Sequence, residues 1–135
     1  MAEVIGEVIQ VIGPVVDVSF PETGESLPQI HDALEIERPG QSKLIIECQQ
    51  HIGENSIRTI AMDSTDGLRR GMKVVSLGQA ISVPSGEQIK GRMLNVVGEP
   101  IDGMKTFDRT DVSPIHRPAP KFDELATSKE ILFTG

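Results

Sequence analysis

The chain has 135 residues, of which 38% are hydrophobic and 24% are charged, enough for one ordinary domain or one small domain plus part of another. This length excludes a large multidomain enzyme, and no apolar run of about 18 residues could span a bilayer. Asp and Glu outnumber Lys and Arg by 20 to 13, and the resulting charge of -7 has the wrong sign for a nucleic-acid partner.

The first part of the chain is predicted to form short β-strands. Apolar and polar residues alternate with period two over residues 16–20 and 44–49, which is the pattern of strands that bury one face. Residues 4–12 and 57–62 have the same pattern. Frequent Gly and Pro between these segments suit hairpins, so we expect a small barrel or sandwich.

One face of the segment 44–49 is continuously apolar. Leu44, Ile46 and Cys48 alternate there with a second set of residues that includes Glu47 and Gln49. A one-residue change of register would move all of them to the opposite face of the sheet. We therefore expect Leu44, Ile46 and Cys48 to point into the core.

A domain boundary is predicted near Ser82. Residues 1–82 hold 6 basic and 12 acidic residues, whereas residues 83–135 hold 7 and 8. Residues 99–121 are rich in Pro and have little periodicity, which indicates a long extended connection. A new apolar element begins at residues 129–133, just before the sequence stops, so we expect the chain to be a piece of a longer protein.

A short helix is predicted at the start of the second part. Ser85 followed by Gln88 fits the capping box that opens many helices. Ile89 and Met93 would then lie on one face. We expect this helix to end near Asn95.

Motifs for phosphate or metal binding are missing from the sequence. It has no G-x-x-x-x-G-K-[ST], no G-x-G-x-x-G and no H-E-x-x-H, and it has a single cysteine. Residues 63–67 resemble a calcium loop faintly, but Met62 stands where the first carboxylate is needed. A tight turn is the better interpretation, because Asp and Gly are common in turns.

The remaining reactive or charged side chains have simpler explanations than catalysis. Cys48 and His51 are an odd number of residues apart, so in a regular strand they would point to opposite faces, and a buried, inert thiol is favoured. His31, His51 and His116 are scattered and are predicted to be surface or loop residues. The pair Arg69-Arg70 could bind phosphate, but pairing with neighbouring carboxylates is the favoured interpretation.

Three long segments resemble the catalytic β subunits of F-type ATP synthases. They are VIQVIGPVVDV at residues 8–18, RTIAMDSTDGLRRG at 58–71 and GRMLNVVGEPID at 91–102. The resemblance continues through residues 115–120 and 130–135, so it covers nearly the whole chain. The related α subunits lack the sequences TIAM and GLRRG, and the β subunit is therefore preferred.

This resemblance implies a mainly β fold. Residues 1–82 would form a closed six-stranded barrel in the ring at the top of the catalytic head. Residues 83–135 would begin an α/β nucleotide-binding domain, with a short helix and an extended, incomplete segment that stops before the phosphate-binding loop.

The resemblance also implies the activity of the full-length parent. It would be a proton-transporting two-sector ATPase that makes ATP from ADP and phosphate, coupled to a proton or sodium gradient. Its partners would be α subunits in an alternating hexameric ring and the γ subunit of the central stalk. In this family the residues that hold ATP, ADP and magnesium come later in the sequence, so no catalytic, cofactor-binding or metal residue is assigned here, and this chain alone should be inactive.

The N-terminus has neither a basic secretory start nor an Arg-rich transit segment. We therefore expect a bacterial parent, peripheral on the cytoplasmic side of the cell membrane and attached only through the assembled complex.

Two alternatives stay open. One is the barrel of a motor ATPase of type III secretion or flagellar export; the other is an independent OB-type binding module, which the acidic charge and the absence of Trp and Tyr disfavour.

Overall fold

The computed structural model describes residues 4–21, 27–53 and 55–131. The chain divides into two compact units, Met1–Ile81 and Ser82–Gly135. Within the described ranges, no helix is long and apolar enough to cross a membrane.

The first unit is a closed barrel of six antiparallel strands, in the order β1-β2-β5-β4-β3-β6. The fold prediction, a mainly β chain with a six-stranded barrel, is therefore confirmed. Closure gives every strand a paired neighbour on both sides and leaves no sheet edge open to a foreign strand. The strands are β1 Ile5–Ile12, β2 Val15–Ser19, β3 Asp32–Ile36, β4 Leu44–His51, β5 Ser56–Ala61 and β6 Lys73–Ala80.

The barrel interior is filled mainly by aliphatic side chains, together with Phe20 and Cys48. Leu44, Ile46 and Cys48 have no exposed surface, so their predicted inward direction is confirmed. Ile46 pairs with Leu34 on β3 and with Ala61 on β5, which places it in the middle of three adjacent strands. The core comprises Val8, Val16, Val18, Phe20, Leu34, Ile36, Leu44, Ile46, Cys48, Ile57 and Val74.

Two carboxylates on the polar positions of these strands are also buried. Asp17 is only 4% exposed, and both of its oxygens accept hydrogen bonds from Arg58 at 2.9 Å. Glu47 is likewise 4% exposed and accepts a hydrogen bond from the amide of Gln49. Alternation therefore identifies the core side of β2 and β4, but it does not show that the other side is also covered.

The second unit contains a two-stranded sheet, in which β7 Ser82–Pro84 pairs with β8 Val112–Pro114. The predicted connection over residues 99–121 therefore includes a strand. Short 3-10 helices lie at Glu87–Ile89 and Phe122–Glu124. The apolar element predicted at residues 129–133 lies partly outside the described residues.

The helix predicted to run to Asn95 is wrong. Only one 3-10 turn forms, and Gly86 and Gly91 on either side of it have φ angles of 82° and 70°, outside the helical region. The Ser85 hydroxyl bonds to the Asp111 carbonyl and does not cap the turn, while the Gln88 amide donates to the carbonyls of Ser85 and Asp108. The capping-box residues thus join the turn to the segment before β8.

An arginine fixes the loop between the two 3-10 helices. Arg92 binds both oxygens of Asp102, donates to the Lys105 carbonyl at 2.8 Å and lies 4.4 Å from the centre of the Phe107 ring. These contacts lower the pKa of Asp102 well below the usual carboxyl range, chiefly through the hydrogen bonds from Arg92. The pair of Asp102 with Arg92 therefore stabilises the folded loop at pH values above the ordinary carboxyl pKa. This stabilisation is lost as the pH falls through the lowered pKa of Asp102.

Candidate functional site

The structure brings Cys48 and His51 to the same atom. The Cys48 thiol lies 3.9 Å from the carbonyl oxygen of Pro28, and His51 Nε2 lies 2.8 Å from that oxygen. The prediction that the two side chains point to opposite faces is therefore wrong. The reason is a β-bulge in β4 between Cys48 and Gln50, which interrupts the regular alternation.

This arrangement does not make Cys48 a nucleophile. Burial raises the pKa of the thiol, with a smaller contribution from the charge of Asp32, so the reactive thiolate is disfavoured. The thiol is fully buried in the barrel core. The prediction of a buried Cys48 is confirmed.

Residues 63–67 form a tight turn, as predicted. The Asp63 carboxylate accepts a hydrogen bond from the Ser64 amide, and the Ser64 hydroxyl accepts one from the Asp66 amide. Gly67 then has a φ of 82°. Across residues 4–21, 27–53 and 55–131, no group of three or more His, Cys, Asp or Glu side chains is placed to hold a metal ion.

The three histidines are not brought together. His31 precedes β3, His51 ends β4, and His116 follows β8 in the second unit. All three residues are exposed, as predicted.

The prediction that Arg69 and Arg70 pair with carboxylates is wrong for the part of the chain that the structure describes. Both residues are exposed, and neither forms an ion pair there. The nearest acidic residues in the sequence are Asp63 and Asp66, and the Asp63 carboxylate accepts a hydrogen bond from the Ser64 amide instead.

A groove of about 650 Å³ lies on the outer surface of the barrel, and Met72 and Lys73, which follow Arg69 and Arg70 in the chain, help to line it. We call it the β6 groove. Lys73, Val75 and Leu77 contribute from one face of β6, and Met72 comes just before that strand. The remaining lining residues come from β3 and the loop that follows it, and they are Glu35, Glu37, Arg38, Pro39 and Lys43.

The β6 groove was not found from the sequence. Val74 is fully buried, while Val75 is partly buried and Leu77 is 41% exposed. Apolar residues therefore occupy both faces of β6, and period-two alternation disappears. The sequence contains one weak signal. Val75 and Leu77 follow Lys73 at intervals of two residues, so the three side chains lie on one face of β6.

A comparison with known protein families decides the assignment of the barrel. The model of the ATP synthase alpha/beta family, β-barrel domain, matches residues 8–78. The match spans more than half of the 135 residues, from β1 into β6.

The chain belongs to the ATP synthase alpha/beta family. In this member of the family, the β6 groove and the turn that carries Arg69 and Arg70 both lie within the matched residues. They are therefore parts of the family's barrel domain. The second unit, from Ser82 onward, lies outside the match.

Proposed function

We propose that this chain is the N-terminal part of the catalytic β subunit of an F-type ATP synthase. The observation that carries the proposal is the family match over residues 8–78, which coincides with a closed six-stranded barrel. Membership of the family is common to several subunits. The choice of β rests on the segments TIAM at residues 59–62 and GLRRG at 67–71, which resemble β subunits and not α subunits.

The proposed role of the barrel is structural. Six paired strands leave no open edge, so association with neighbours has to use side chains on the outer surface. Assembly into a ring of alpha/beta family barrels fits this architecture. We propose that the partners are α subunits in an alternating hexameric ring, with the γ subunit of the central stalk in the full-length parent.

The second unit is proposed to begin the nucleotide-binding domain. The full-length parent would produce ATP from ADP and phosphate, driven by a proton or sodium gradient, and would lie on the cytoplasmic side of a bacterial membrane as a peripheral protein. ATP, ADP and magnesium would be held by the later part of that parent.

A binding experiment tests the subunit assignment. The chain is mixed with purified α subunits of a bacterial F-type ATP synthase and, separately, with the β subunits, and each mixture is analysed by size-exclusion chromatography with light scattering. We expect a complex with α and none with β, because alternation in the ring pairs unlike subunits. Equal association with both would count against the proposal.

We propose that the described residues hold neither a nucleotide nor a magnesium ion. A triphosphate needs several backbone N–H donors at a helix N-terminus together with a lysine, and the turn Glu87–Ile89 has only three residues, with an acidic side chain in its first turn. The carboxylate of Glu87 would repel phosphate. No catalytic step is therefore assigned to this chain.

We predict that this chain alone neither binds nor hydrolyses ATP. Calorimetric titration with magnesium ATP should give no saturable heat, and turnover should equal that of the buffer. The full-length β subunit, measured in the same buffer, is the positive control. A micromolar dissociation constant, which corresponds to about -8 kcal/mol, would require a complete phosphate site and would contradict the prediction.

A further inference from the structure

Some cationic side chains of the barrel form ion pairs with described residues, and others do not. Lys43 forms ion pairs with Glu35 and Glu37, and Arg58 forms one with Asp17. Among the described residues, three of the remaining cations have no ion pair and no side-chain hydrogen bond, although the unit carries twice as many acidic as basic residues. These three lie within five consecutive positions, and they are Arg69, Arg70 and Lys73. We call them the basic turn.

The backbone of the basic turn is held firmly by the barrel. The Gly71 amide donates to the Val8 carbonyl at 2.8 Å, and the Val8 amide donates to the Met72 carbonyl at 3.0 Å. Earlier in the same loop, the Thr65 hydroxyl donates to the Gly13 carbonyl at 2.8 Å. A partner would therefore meet charges on a fixed backbone, which lowers the entropy cost of binding.

The β6 groove shares Lys73 with the basic turn, and the next groove residue toward the turn is Met72. Met72, Val75 and Leu77 give it an apolar floor, and Lys73 belongs to both features. Exposed apolar side chains rimmed by charges are typical of protein interaction sites.

A fourth cation without an ion pair among the described residues, Arg38, lines the groove. Arg38 is only 7% exposed, and its guanidinium donates to the carbonyls of Ser42 and Ser64 at 3.1 and 2.9 Å. No carboxylate pairs with it in the described part of the chain. The acidic residues Glu35 and Glu37 that line the groove already face Lys43. The groove and the basic turn together form a positive, apolar surface on a negatively charged chain.

We propose that the basic turn and the β6 groove bind an acidic protein segment that carries an apolar side chain. Carboxylates of that segment would contact Arg69, Arg70 and Lys73, and its apolar side chain would lie on Val75 and Leu77. A protein segment is favoured over nucleic acid or a lipid surface because the net charge of -7 opposes a polyanion at longer range, whereas a short acidic segment meets only the local cations. This proposal does not depend on which subunit of the family the chain represents.

The test is an NMR titration of the ¹⁵N-labelled chain with a defined probe. The probe is the blocked hexapeptide Glu-Leu-Glu-Glu-Leu-Glu, and its control is Lys-Leu-Lys-Lys-Leu-Lys, which has the same apolar spacing and the opposite charge. We expect the acidic peptide to shift the amides of residues 69–77 with a dissociation constant below about 1 mM. The affinity should fall as salt is added, because exposed charges are screened.

Paired variants separate the local surface from net charge. Arg69→Glu with Arg70→Glu should weaken binding about tenfold or more, whereas Arg109→Glu with Arg117→Glu, an equal charge change at exposed positions of the second unit, should change it less than about twofold. Leu77→Ser should also weaken binding. Ile12→Ser, at a 59% exposed residue outside the groove lining, is the control for lost apolar surface.

Four results would overturn the proposal. They are the absence of shifts at residues 69–77 with the acidic peptide, equal binding of the basic peptide, an equal loss of affinity in the two charge-reversal variants, and stronger perturbation of the same amides by an eight-residue oligothymidylate or by phosphatidylserine vesicles. None of these four results bears on the proposed association with α subunits, which the size-exclusion experiment tests separately.

Discussion

Ile46→Asp is expected to unfold the barrel. Ile46 has no exposed surface and lies between Leu34 on β3 and Ala61 on β5, so a carboxylate there would be surrounded by aliphatic side chains. The core cluster around it contains only apolar residues and Cys48, and the buried cation Arg38 already donates to the carbonyls of Ser42 and Ser64. Burying an unpaired charge costs several kcal/mol or more, against a total stability of about 5 to 15 kcal/mol for a domain of this kind.

The control for this variant is Ile60→Asp on the neighbouring strand. Ile60 is 39% exposed, so the new carboxylate can stay in contact with water, and the change should cost less than about 1 kcal/mol. Thermal unfolding followed by circular dichroism compares the two proteins. A soluble Ile46→Asp protein with the melting temperature of the wild type would show that Ile46 does not face the core.

The barrel core could be predicted from sequence only where one face of a strand is polar. In β4, Glu47 and Gln49 mark the outer side and leave Leu44 and Ile46 for the interior, and the structure agrees. In β6, Val74 and Val75 occupy opposite faces, so the pattern could not show which side is buried. The β6 groove stayed hidden for the same reason.

The errors came from backbone geometry that residue spacing does not contain. The bulge after Cys48 brings His51 to the same carbonyl as the thiol, although the spacing of the two residues predicts opposite faces. Ser85 and Gln88 have the spacing of a capping box, but the positive φ of Gly86 turns the chain away from a helix. Local spacing gives the partners of a side chain only if the backbone is regular.

Charge pairing was the other property that sequence distance could not give. Arg58 pairs with Asp17 across two strands, 41 residues apart, whereas Arg69 and Arg70 have acidic neighbours in the sequence and no ion pair with a described residue. Pairing depends on which strands lie side by side. The proposed interaction surface could therefore be identified only from the structure of the barrel.

Gly98→Ala is expected to disrupt the two-stranded sheet of the second unit. Gly98 has a φ of 78°, and an added Cβ would lie 2.4 Å from Cδ of Pro84 and 3.2 Å from Cα of Val83, both on β7. Neither contact involves the end of a flexible side chain, so the strand itself has to move. Together with the strain of a positive φ, we expect a local cost of about 2 kcal/mol or more.

The matched control is Gly103→Ala, which separates backbone strain from the collision with β7. Gly103 has a φ of 74°, and an added Cβ would meet no atom within 4 Å. Amide hydrogen exchange at Val83 and at Ser85, whose amide donates to the Asp111 carbonyl, reports on this sheet. Exchange there should be at least about tenfold faster in Gly98→Ala than in Gly103→Ala, because only the first variant places a methyl group against β7. Equal exchange in the two variants would mean that β7 accommodates the methyl group and stays paired with β8. The requirement for glycine at residue 98 would then come from the positive φ alone.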